Sequence, residues 1–477
     1  MKYKEKRRFF LLTINIFGFI DTNSYLCQRN YKIMPHIKNT RQWVTPLLLM
    51  ICTHLTAQTV VEEIKAKPQC SAGINYSLPT GKQQVDIPAP DGKKPFYISH
   101  FGSSAAYYLE SLKEYDMPIN TLVKADSVKM LTPLGKDVLR RLRLIRQDAL
   151  HRTGEMTVNG ARQMRQLAQE MVERFPDIFA DGSLIDARSI VRNHSIMSMQ
   201  EFMTQIARHR ANMDLRIKSS HSNDQWMFVR DKELEADRFN AETETCYQAY
   251  IKANSNNHRL WESLFVSADY VKAHIDTVQF NEQLFTLAGG IQNTPLDGVI
   301  TLYDIYTPQE ILEHWRLYNA KNYISYCSFE LNVGNQPFAQ RAPLWNLLHQ
   351  ADSIKQLDHP VVHLRYSSRG MVLELICLME LNDYGLKTSD LNQLEKKGWA
   401  NYRIAPFGSS VQVVYYRKDK TDDNILVKVL LNGQEARLPI ATDCAPYYHW
   451  DDVKRYYLRK LYAHEKIRFD YNKSKDE

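Results

Sequence analysis

The stretch Lys94-Pro-Phe-Tyr-Ile-Ser-His-Phe-Gly-Ser-Ser-Ala-Ala-Tyr-Tyr108 decides how the chain is read. Phe96 to Ile98 predict a short apolar strand, a small-residue loop follows, and a helix is expected from about Tyr107. A strand that stops at a Gly-containing loop before a helix leaves backbone N–H groups pointing outward. Such a loop is a common seat for an anionic ligand in α/β proteins.

Outward from this stretch, strands and helices alternate. Residues 58–93, rich in Pro, Gly and Lys, read as an extended lead-in to the first strand. Leu131-Thr-Pro-Leu-Gly135 opens a helix to about Gln147, with Val138, Leu139, Leu142 and Ile145 at helical spacing. Thr157 is placed to cap a helix that ends at Phe175-Pro176. Ser183 to Ser189 predicts a second strand, and Met197 to Ala207 the helix after it. Over 212–354 helical patterns dominate: Ala249–Ala253, Leu260–Ala268, Ser267–Thr277, Thr307–Tyr318 and Trp345–Ile354.

Sheet character returns at His359 to Arg365, before an apolar and therefore buried helix, Met371 to Leu381. Val411 to Tyr416 and Ile425 to Leu431 alternate as strands, and Asp451 to Leu461 reads as a final helix. The expected fold class is α/β: a central sheet flanked by helices, built from 58–211 and 355–477, with an inserted all-α cap domain over 212–354.

Charge excludes one class of function. Residues 1–57 hold nine Lys or Arg against Glu5 and Asp21, which is the whole of the +7 net charge. The remaining 52 basic and 52 acidic residues balance, so the body lacks the electrostatic footprint of a nucleic-acid binder. The basic N-terminus flanks two apolar runs, Phe9 to Ile20 and Trp43 to Ala57, each shorter than the roughly 18–20 residues of a membrane-spanning helix. They read as signal-peptide cores. The second is better placed: Met34 is a candidate start, and cleavage after Ala57 would leave an exported protein with no stable transmembrane span. Lipid attachment at Cys52 is the weaker reading, because Ile51 is bulky for such a site. Cys70, Cys246, Cys327, Cys377 and Cys444 remain, scattered and odd in number, without a C-x-x-C pair. They signal neither a disulfide framework nor a zinc site, so no metal and no cofactor are expected.

Five separated segments, in order, resemble the histidine acid phosphatase family, in its branch of phytases and multiple inositol polyphosphate phosphatases. They are Phe96 to Tyr107; Leu131 to Gly135 with Gly154 to Gly160; Ala187 to Met199; His363 to Gly370; and Leu430 to Pro439 with Pro446 to Trp450. The resemblance covers most of residues 64–462. It implies a phosphatase site in which a histidine attacks phosphorus, arginines and a second histidine hold the phosphoryl oxygens, and a carboxylic acid protonates the leaving alcohol.

At those positions this chain differs throughout. The nucleophile position is Ser104, the flanking arginine positions are Ser103 and Tyr107, and the third arginine falls on His194. The second histidine falls on Ser368, and the proton donor on Arg369 or Gly370. The resemblance therefore implies a fold kept and a catalytic set lost. A phosphorylated or other anionic small molecule is the implied ligand, with His100, Arg188, His194, Arg365 and Arg369 as candidates to hold it. Each has a plainer alternative: His100 as a strand-end hydrogen-bonding residue, His194 as a tolerated polar residue, and the arginines as structural ion pairs. Tyr447-Tyr448 and Tyr456-Tyr457 read as packing under the last helix or as a ligand wall. An active phosphomonoesterase with a rebuilt site and a non-enzymatic surface scaffold are the alternative functions. Oligomeric state is not encoded in any of these features.

Overall fold

The computed structural model describes residues 59–81, 87–209, 211–255 and 258–476. The export signal expected over 1–57, with Met34, Cys52 and Ala57, lies outside the described residues. The strands are β1 (Lys94–Ser103), β2 (Leu184–Ser189), β3 (Asp214–Ser219), β4 (Ser328–Phe329), β5 (Val361–Ser367), β6 (Lys387–Thr388), β7 (Ser410–Arg417), β8 (Leu426–Leu431), β9 (Gln434–Glu435) and β10 (Tyr448–His449). Eight form one sheet in the order β10-β8-β7-β1-β5-β2-β3, with β9 on β8, while β4 and β6 pair separately.

β1 is the hub of that sheet. It runs parallel to β5 and antiparallel to β7, and every residue from Phe96 to Ser103 is buried. A strand covered on both faces needs no polar alternation. That is why it runs well past the apolar Phe96 to Ile98: Ser99, His100, Gly102 and Ser103 are accommodated inside it. Gly102 is required there, because a Cβ would overlap Nε2 of His100.

One face of the sheet, with Tyr97, Phe101, Val361, Val413 and Tyr415, packs on the helices Pro308–Tyr326, Arg341–Ile354, Arg369–Leu378 and Trp450–Asp476. The other, with Ile98, Ala187, Leu364 and Tyr366, packs on Val158–Arg174 and Asn193–Ala207. The mixed α/β fold with a central sheet between helices is therefore the observed one. Thr132 and Thr157 cap their helices through Gly135 and Gly160 N–H groups.

Three differences from the sequence reading have physical causes. The helix expected from Tyr107 starts at Leu112, where Ser111 and Glu114 form a reciprocal capping box. β3 lies inside the stretch read as helical. It is a fully exposed edge strand paired with β2, so its alternating Leu215 and Ile217 face no core. Finally, the helices Leu112–Ser127 and Pro133–Ala149 share a hydrophobic core with residues 260–315, on the far side of the expected domain boundary. Helix Arg341–Ile354, assigned to the insertion, packs under the sheet instead. Tyr447, Tyr448 and Tyr457 are buried, as packing residues. Among the described residues no helix is long and apolar enough to cross a membrane.

Candidate functional site

Ser103 and Ser367 are register partners at the carboxyl ends of parallel β1 and β5. Ser104 and Ser368 therefore leave the sheet side by side, at the edge where α/β sheets hold ligands. The loop after β1 is nonetheless closed. Ser103 donates its N–H to Ser409 O (2.8 Å), and its hydroxyl lies 3.1 Å from Ser409 Oγ. Ala105 N–H is bonded to Ser198 Oγ (3.0 Å), and Ala106 O accepts Thr157 N–H (2.9 Å). The helix start at Gly160 sits directly on this loop, where a Cβ would lie 2.5 Å from Ala106 O. Two of the loop's amides, those of Ser103 and Ala105, are thus bonded to protein.

Ser104 is 1 % exposed and its hydroxyl has no hydrogen-bond partner, so no base activates it. His100 does not serve. Its ring lies between Phe202 and Tyr366 (centroids 5.9 and 5.6 Å), and its Nδ1 is unpaired. Burial, reinforced by the Arg365 charge, pushes its pKa down to about 3. It is a neutral core histidine and not a strand-end hydrogen-bonding one.

Tyr107, His194 and Arg369 form a connected group beside Ser104. The Tyr107 ring stacks flat on His194 (3.9 Å, 9°), and its hydroxyl accepts from Arg369 (3.0 Å). The Arg369 guanidinium lies 3.9 Å over the Phe407 ring and donates to Ile74 O (2.9 Å) and to Asn75 Oδ1. It acts as a bracket tying the helix after β5 to the lead-in, with most of its fork engaged. Ser368 caps that helix through Met371 N–H, and Gly370 is buried against the Tyr326 ring, where a Cβ would approach to 2.8 Å. Neither position can give a proton to a leaving group.

His194 is 5 % exposed, and burial, then Arg369 and Arg192, push its pKa down to about 3. As a neutral ring it has Nε2 3.3 Å from the Glu110 carboxylate, without a hydrogen bond between them, and accepts at Nδ1 from Ser195 Oγ (3.2 Å). The position expected to offer positive charge offers none, and Glu110 adds a negative one.

Arg188 and Arg365 lie elsewhere, contrary to their expected place near the cleft. Strand alternation turns Arg365 to the face covered by Arg341–Ile354, where it donates to Ser99 Oγ (3.2 Å) and to Gln350 Oε1. Arg188 is paired with Asp186 (2.7 Å). Glu110, Asn75 and Phe407 complete the site without any motif to announce them.

The sheet, its flanking helices and the paired strand exits define the fold of the histidine acid phosphatases. More particularly, the chain is similar to the multiple inositol polyphosphate phosphatase of Bifidobacterium longum. Against its complex with inositol hexasulfate the TM-score is 0.67, at 13% identity over 80% of this chain and 96% of that one. Against its phosphate complex the TM-score is 0.66, at 14% identity over 80% and 97%. The phytase of D. castellii gives 0.58, at 13% identity over 82% and 85%. No family model and no curated protein matches the sequence.

Proposed function

We propose that this protein is a catalytically silent relative of the inositol polyphosphate phosphatases and phytases, exported from the cell. The observation that carries the reading is the Tyr107–His194–Arg369 group. It fills the strand-end site with a stacked ring pair and an arginine already bonded to Ile74, Asn75 and Tyr107, and leaves Ser104 buried without a base. A cleft arranged in this way has no activated nucleophile, no free cationic clamp and no acid at the position where the resemblance places the proton donor.

An anionic small molecule as ligand is the second reading. Arg369 favours it as the half-buried cation left in the site, and the Bifidobacterium enzyme holds phosphate and inositol hexasulfate in the corresponding fold. Glu110 and the neutral His194 weigh against it. Thermal unfolding with 10⁰–10¹ mM-scale phosphate or inositol hexakisphosphate tests it, on the order-of-magnitude basis that binding at about 100 Kd stabilises by about 2.7 kcal/mol. The expected result is no upward shift. A saturable rise in Tm, lost in Arg369→Ala, would establish the anion-binding reading.

Export rests on the basic flanks and apolar runs within residues 1–57 and on the charge-balanced remainder. N-terminal sequencing of protein recovered from native cells should find Gln58 or a near neighbour first. Protein in the cytoplasm that begins at Met1 or Met34 would refute it.

A further inference from the structure

At the end of the sheet away from Ser104, the loop entering β10 folds back on the start of β8. His449 and Tyr448 pair with Leu426 and Val427. This brings Asp443, Cys444 and His449 together, one ligand atom from each, all within 4.8 Å of one another. We propose that Asp443 Oδ1, Cys444 Sγ and His449 Nε2 form a site for a zinc-type divalent cation, with solvent in the fourth position.

The imidazole is oriented for it. His449 Nδ1 lies 2.9 Å from Asn424 Oδ1, and with the amide in this orientation, its oxygen toward the ring, the proton sits on Nδ1. The Nε2 lone pair then faces the Asp443 carboxylate oxygen at 3.1 Å. Two acceptors at that separation require a shared cation or a second ring proton. Ligating histidines are characteristically fixed in this way by a hydrogen bond from the other ring nitrogen. The Nε2–Oδ1 separation of 3.1 Å fits as well, and Cys444 Sγ lies within 4.8 Å of both atoms, close enough to complete the set by a side-chain rotation. Two ligands each about 2.05 Å from a metal, at a tetrahedral angle, lie about 3.3 Å apart.

The donor set is imidazole, thiolate and carboxylate, which selects zinc-like ions over calcium or magnesium. Cys444 Sγ is half-buried beside Thr442 Oγ1 (3.4 Å) and Tyr447 O (3.5 Å), while the Asp443 side chain is 82% exposed, which leaves a coordination position open to water. The neighbouring cation, Lys93, is neutralised by Asp422 at 2.5 Å. Cys444 Sγ donates to Tyr447 O as a thiol, so a bound cation would displace that proton. The role that follows is structural: the ion pins the final loop to the sheet edge, remote from the cleft.

The test uses full-length, tag-free, chelator-treated protein titrated with Zn²⁺ against a chromophoric chelator, and with Co²⁺ for its spectrum. One Zn²⁺ per chain is expected, with release of about one proton at pH 7.5. Co²⁺ should give a thiolate-to-metal charge-transfer band. Cys444→Ser should abolish that band, His449→Gln should weaken Zn²⁺ binding at least about tenfold, and Asn424→Ala should weaken it about 10- to 100-fold. Circular dichroism of each variant checks folding. Absence of binding would leave only a His449–Asp443 ion pair and overturn the proposal. So would Co²⁺ binding without the thiolate band, or Zn²⁺ binding unchanged in both Cys444→Ser and His449→Gln.

Discussion

Purified protein assayed with p-nitrophenyl phosphate and with phytate, between about pH 3 and 8 to span carboxylate and imidazole titration, should show no turnover above background. A serine hydroxyl stays protonated throughout that range, and Ser104 has no hydrogen-bond partner to take its proton. Removing one preorganised charge-stabilising donor costs roughly 3–4 kcal/mol of barrier, and removing a general acid roughly 10²–10⁴-fold in rate. The positions that the resemblance assigns to the clamp hold Ser103, Tyr107 and a neutral His194, and those it assigns to the acid hold Arg369 or Gly370. Even with strong non-additivity, the combined loss should bring the rate to background.

Ser104→His alone should not restore activity. The new ring would enter a position that is 1 % exposed, where overpacking typically costs 1–3 kcal/mol, and Arg369 would remain committed to Ile74, Asn75 and Tyr107. Were Arg369 to release those partners and hold a phosphate, equal binding of ground and transition states would still not accelerate the chemical step. Robust turnover by the unmodified protein, abolished by Ser104→Ala, would show instead that the active site has been rebuilt.

The strand exits were legible because they depend on local patterns: an apolar run, small residues, and Thr132 and Thr157 as helix caps. The Ser111–Glu114 capping box was also present in the sequence, and it marks the true helix start. Likewise, alternation along His363-Leu-Arg-Tyr366 separates Leu364 and Tyr366 from His363 and Arg365, which takes Arg365 away from the cleft. Other features have no local signal. Arg369 meets Asn75 and Ile74 almost 300 positions upstream in the chain, and Glu110 reaches His194 only because the loop after β1 passes the start of Asn193–Ala207. Spacing alone also left Cys444 as one of several scattered cysteines; β10 pairing is what delivers His449 to it. The helical core spanning 112–149 and 260–315 is a further case, since a domain boundary drawn from composition cannot see which apolar faces meet.

The second large effect concerns stability and lies just beneath the cleft wall. Glu374, on the helix that begins with Arg369, is 0 % exposed, and burial pushes its pKa up to about 8 from 4.5. Its surroundings only partly offset this. Gln340 Nε2 donates to Oε2 at 2.6 Å, Arg238 stands off at 3.6 Å from Oε1, and the Glu235 charge acts in the raising direction. The folded protein thus keeps a proton that the unfolded chain has released above about pH 4.5. With more protons bound folded than unfolded, stability falls as pH rises from about 4.5 toward 8. At about 1.4 kcal/mol per pH unit, the cost by pH 7.5 is on the order of 4 kcal/mol. For about 400 ordered residues that corresponds to about 5 °C in Tm. Glu374→Gln keeps an acceptor for Gln340 and cannot ionise. Its Tm should match wild type near pH 4.5 and exceed it by about 5 °C at pH 7.5. The difference between the two pH profiles isolates this group from every other titrating residue. Parallel profiles would mean that the carboxylate ionises in the folded state with Arg238 as its partner, and that no stability is lost to it as pH rises.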